Sequence, residues 1–259
     1  MLSALLPALL AQAAAPASVE PPPPPPTAET RLAACLAEAR GPAGAALDMA
    51  DRWLSEAKGA EQAMPRQCLG AVYSRQGDWV LAERSFLDAR EAVPAAQAVR
   101  RARLAAMAGN AALADGRNED ALEALALAQG DAGRAGDAAL LGEVEVDRAR
   151  ALVPLDRLKE AEEALANARR DAAQSSDAWL LSAALARRQG NLADAQRYIE
   201  QAADLRPIDP EIGLEAGLIA ALAGREDAAR KSWQSVVDAD PSSDSARTAR
   251  GYLAQLGTP

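Results

Sequence analysis

The chain has 259 residues, 49% of them apolar but only 3% aromatic, and a net charge of −9 with no histidine. That charge repels phosphate backbones and no basic patch offsets it, which argues against a nucleic-acid partner. Lack of imidazole removes the commonest general base and the commonest metal ligand. The apolar share is mostly alanine and leucine, the strongest helix formers, and β-branched runs are few. An all-α fold is expected.

In chain order, an apolar run spans Leu2 to Leu10, far short of the ~20 residues of a membrane span. Ala11-Gln12-Ala13 follows it and fits a signal-peptidase site. Residues 1–13 therefore read as a signal peptide that sends the chain to a periplasm, although no Lys or Arg precedes the apolar run. The alternative is an Ala-rich tail on a cytoplasmic protein. No Cys follows the run, which argues against a lipid anchor. Residues 14–28 form a linker whose Pro21 to Pro26 favours extended polyproline II, a spacer or alternatively a docking motif. The folded domain is assigned to residues 29–259.

Two helices are predicted at 30–40 and 44–57, carrying Leu32, Cys35 and Leu36, then Leu47, Ala50, Trp53 and Leu54, at helical spacing. From residue 63 one pattern returns. Its clearest copy holds Leu69-Gly70, Tyr73, Gly77-Asp78, Ala82, Phe86, Ala89 and Pro94. Further copies align on a turn residue (Gly77, Gly116, Asp156, Gly190, Gly224) and on a small residue (Ala82, Ala121, Ala161, Ala195, Ala229). A large residue follows four positions on: Phe86, Leu125, Leu165, Ile199, Trp233. A second small column runs through Ala89, Ala128, Ala168 and Ala202, with Val236 last. The opening alanines lie 39, 40, 34 and 34 residues apart.

This pattern resembles the tetratricopeptide repeat. The resemblance implies antiparallel helix pairs stacked as a right-handed α-solenoid, here about six pairs and a capping helix from Ser243 to Leu256. It covers residues 63–241 well and 30–62 poorly, where a divergent first repeat is expected. Pro207 and Pro241 should stop second helices, and Asp209 should cap the helix that Pro210 begins. The middle units depart from the pattern. Pro154 and Asp156 end a first helix, Gly133 and Ala173 stand where a closing proline is expected, and Glu143 to Val146 reads as helix despite its alternation.

No phosphate loop, nucleophile elbow or zinc-helix motif is present. Gly130, Gly133 and Gly136 read as a loop between helices. Glu119-Asp120 and Glu160, Glu162-Glu163, close to Arg117 and Lys159, read as solvated surface. Asp238 and Asp240 lack the further oxygen ligands that calcium needs. The chain is therefore expected to be no enzyme, with no cofactor and no metal. Cys35 and Cys68 are the only cysteines. In an exported chain an even count favours a disulfide, and 33 residues is about one repeat; in a cytosolic chain two buried thiols are the alternative.

The resemblance also implies that first helices line a groove for a protein or peptide partner. By column, that groove would show Gln67, Ala71, Ser74, Arg75, Arg103 and Asn110, then Glu143, Arg150, Leu180, Arg187 and Arg188. Leu214 and Leu218 would end it, or pack on the terminal helix. Family members that grip a carboxyl terminus use Lys and Asn residues along the groove, and only Asn110 occupies a comparable place. Three functions fit: an exported envelope scaffold, a cytoplasmic adaptor or regulator, and the recruiting subunit of an enzyme complex.

Overall fold

A computed structural model describes residues 26–256. Among them 81% are helical and none is in a strand. The helices are α1 (Ala28–Glu38), α2 (Ala43–Glu56), α3 (Ala63–Gln76), α4 (Trp79–Ala92), α5 (Ala98–Ala114), α6 (Asn118–Ala135) and α7 (Ala138–Leu152). There follow α8 (Leu158–Asp171), α9 (Ser176–Arg188), α10 (Leu192–Leu205), α11 (Pro210–Leu222), α12 (Glu226–Ala239) and α13 (Asp244–Gln255). Each helix packs on the next, and α1 also packs on α3, α5 on α7, α7 on α9, α9 on α11 and α11 on α13, so six hairpins stack in series with α13 closing the end. Residues 1–25, with the expected signal peptide and most of the linker, lie outside the described residues.

The repeat columns have a steric cause. In three copies (Phe86, Leu125 and Trp233) the large residue of the second helix sits over a glycine in the first helix of its own pair. A Cβ on Gly70 would lie 2.6 Å from the Phe86 ring, and one on Gly217 only 2.1 Å from Nε1 of Trp233. The same indole donates to the Leu214 carbonyl at 3.1 Å, so the ring cannot swing away without losing a hydrogen bond. Gly217→Ala is therefore expected to cost about 1–3 kcal/mol by overpacking, measured as a lower urea midpoint. Gly251→Ala, where an added Cβ meets nothing within 4 Å, is the control and should not fall.

Turn glycines end the first helices in left-handed backbone, with φ of 79° at Gly77 and Gly190. Asp156 keeps that geometry in the third copy at φ 58°, the one non-glycine residue with positive φ among those described. Asp209 accepts hydrogen bonds from the Glu211 and Ile212 amides and caps α11, with Pro210 in its first turn. Ser243 caps α13.

One expectation is corrected. Gly130 and Gly133 are not loop residues: they lie inside α6, and only Gly136, at φ 66°, ends it. Two interior glycines cost a helix about 1 kcal/mol each. Burial of Ala124, Leu125, Ala128, Asp131 and Ala132 on one stripe carries the helix through them. That extension accounts for the long middle unit.

Candidate functional site

The first helices form one face of the stack, and two cavities open along it. One, of about 490 Å³, lies where α1 and α3 face α5 and is lined by Gln67, Ala71, Ser74, Arg75, Met107 and Asn110, among others. The other, of about 410 Å³, lies between α7 and α9 over Leu165, Leu181 and Leu185, with Arg150, Arg187 and Arg188 at its rim. Eight of the eleven groove residues expected from sequence ahead of Leu214 and Leu218 thus line these two cavities. Arg103 lines neither; it is exposed on α5 one turn before Met107. Glu143 is exposed on α7. Leu180 is a correction: it is 8% exposed and packs with Ala183 and Ile199 in the core, while its neighbour Leu181 takes the groove position. Leu214 and Leu218 pack with Tyr252, Leu253 and Leu256 of the terminal helix.

Polar groups on this face are tied across repeats. Asn110 donates to Asp147 at 2.9 Å, and Arg150 reaches Asp147 at 2.7 Å and Asp177 at 2.6 Å. Arg187 grips Glu215 through two hydrogen bonds, at 2.6 and 3.2 Å. Arg188 meets Asp156 at 3.2 Å, and its side chain stays 46% exposed. Of these carboxylates, Asp147, Asp177 and Glu215 were missed in the sequence, and Asp156 was read only as a turn residue. Asp147 could have been found there, because it precedes Arg150 by three residues on the same helix face.

Asp147 is the costly member. Burial pushes its carboxyl above the usual range, and Arg150 and Asn110 offset that only in part. A carboxyl whose folded pKa is raised binds its proton more tightly in the folded state, so its contribution to stability is lost as pH rises. Asp147→Asn should therefore unfold at higher denaturant than the parent at pH 7. Asn110 keeps an acceptor and Arg150 keeps Asp177. The difference should vanish below about pH 3.9, where an unfolded carboxyl is also neutral. A variant less stable than the parent at pH 7 would show that the Arg150 pair outweighs burial.

No group of three or more Cys, Asp or Glu residues that could hold a metal occurs among the described residues, nor does a helix long and apolar enough to cross a membrane. The chain matches no protein-family model and no curated protein. Solved structures are similar to it. PilW, described as a widely conserved type IV pilus biogenesis factor, has a TM-score of 0.68 at 16% identity, over 85% of this chain and 97% of its own. Pseudomonas aeruginosa PilF has 0.66 at 17%, over 88% and 97%. YrrB, described as a TPR protein with an unusual peptide-binding site, has 0.52 at 19%, over 78% and 97%. The fold is thus a tetratricopeptide-type α-solenoid.

Proposed function

We propose that this chain is an exported, non-catalytic scaffold that holds a protein partner, as a peptide or short helix, along its first-helix face. The observation that carries the reading is the pair of apolar-floored, arginine-rimmed cavities on one side of the stack. A peptide spanning them would bury apolar side chains in both and set its carboxylates against Arg40 and Arg75 at the rim of the first. The peptide-binding description of YrrB supports the site. The Cys35–Cys68 disulfide and the pilus-biogenesis description of PilW support an envelope location.

A photocrosslinking residue placed at Met107 or at Leu181, in the native host, should trap the same partner. The same residue at Leu127, 41% exposed on α6, should not. Equal trapping at all three sites would remove the groove. Export is tested separately by sequencing the mature amino terminus, expected near Ala14. An intact Met1 in the cytosolic fraction would remove the periplasmic assignment and leave the groove standing.

A further inference from the structure

The two cavities differ in charge balance, and the difference specifies a partner. Between α7 and α9 every rim guanidinium already meets a carboxylate: Arg150 has Asp147 and Asp177, Arg187 has Glu215, and Arg188 has Asp156. The cavity at α1, α3 and α5 is the opposite case. Arg40 and Arg75 stand at its edge, both exposed, and no Asp or Glu lines it. Arg75 gives one hydrogen bond, at 3.3 Å, to the Arg40 carbonyl. Neither guanidinium has an ion pair among the described residues, although acidic groups outnumber basic ones 37 to 28 in the chain. Between them the lining is apolar, with Leu36, Trp79, Phe86 and a Met107 left 40% exposed. A thioether adapts to varied apolar shapes, while a guanidinium takes a carboxylate through two parallel hydrogen bonds.

One wall of this cavity is held covalently. Leu36 comes from α1, the first helix, with Ala39 and Arg40 just past its end, and Gln67 and Ala71 come from α3. Cys35 precedes Leu36 and Cys68 follows Gln67, so the disulfide joins the two helices directly behind the lining. We propose that this cavity binds an acidic segment of a partner protein, one bulky apolar side chain entering and flanking carboxylates meeting Arg40 and Arg75, and that the Cys35–Cys68 bond holds its wall in place. The proposal rests on the groove reading and names its occupant. The chain's own residues 1–25 are a poor fit, since Glu20 is their single carboxylate.

The test is selection from a phage-displayed random peptide library against the full oxidised chain, followed by fluorescence anisotropy with the winning peptides. Winners should place Asp or Glu beside Leu, Met, Phe or Trp. Arg40→Glu and Arg75→Glu should each weaken them about tenfold or more, the scale of a lost charged hydrogen bond. Arg188→Glu should change little. The double variant Cys35→Ser, Cys68→Ser should weaken them similarly, and Arg40→Glu makes the point independently with the disulfide intact. Basic or proline-rich winners, no winners, or acidic winners indifferent to both reversals would overturn the proposal. Undiminished binding by the double serine variant would overturn the disulfide's part in it. Loss on Leu181→Glu or Arg188→Glu instead would move the site and keep the groove; indifference to every substitution would overturn both.

Discussion

Replacing Asp131 with Ala is expected to destabilise the middle of the stack by about 3–5 kcal/mol, the usual result of stranding a buried charge. Asp131 is 0% exposed on α6 and accepts from Nε of Arg90 on α4 at 2.7 Å. Arg101 of α5 reaches its other oxygen at 3.5 Å and also donates to the carbonyls of Arg90 and Val93 at 2.9 and 2.8 Å, closing the end of α4. One carboxylate therefore joins three successive helices. Without it the Arg90 side chain, 7% exposed, keeps only Glu91, which is 65% exposed. Coulomb attraction through solvent cannot offset that loss of hydration. Glu91→Ala should accordingly cost less than about 1 kcal/mol. Because repeats in a solenoid contact mainly their neighbours, the loss should register in hydrogen exchange of α4 to α6 before α10 to α12. A loss for Asp131→Ala no larger than for Glu91→Ala would refute the account.

Asp131 also shows how much the sequence disclosed. Small and large columns were legible because they repeat, and each reports a local contact between the helices of one pair. Phe86 over Gly70 is the clearest case. What crosses between pairs was not legible by repetition, since Arg90–Asp131 and Arg187–Glu215 each occur once. The Asp131 signal was nonetheless present. Ala121, Ala124, Leu125, Ala128 and Asp131 fall on one helical stripe, and a charge on an apolar stripe needs a partner. Reading Gly130 and Gly133 as loop hid it, because glycine was weighed by its own propensity and the stripe was not. On the groove face, helical spacing alone could not decide between Leu180 and Leu181. Which one entered the core depended on where Ile199 of the next helix sat.

Removing the disulfide is expected to loosen the amino-terminal pair and leave the rest of the stack folded. Cys35 on α1 and Cys68 on α3 are bonded with Cα atoms 6.2 Å apart, 33 residues from each other in sequence. A loop of that size is worth about 3–4 kcal/mol in the chain-entropy treatment of the unfolded state. Both sulfurs are 0% exposed among Ala46, Ala50, Leu69 and Val72, so a reductant gains access only when α1 opens. The bond acts where neighbours are fewest. α1 packs on α2 and α3, whereas a central helix such as α7 packs on α5, α6, α8 and α9. An end unit lacks the second interface that stabilises inner repeats, and a crosslink replaces part of it. Cys35→Ala with Cys68→Ala tests this without adding a buried hydroxyl. Hydrogen exchange should accelerate through residues 28–56, while α9 to α12 keep their protection. Thiol counting on the denatured, unreduced parent should find no free cysteine. Unchanged exchange in α1 and α2 would mean that packing alone holds the end repeat, and the bond would then do nothing for the cavity beside it.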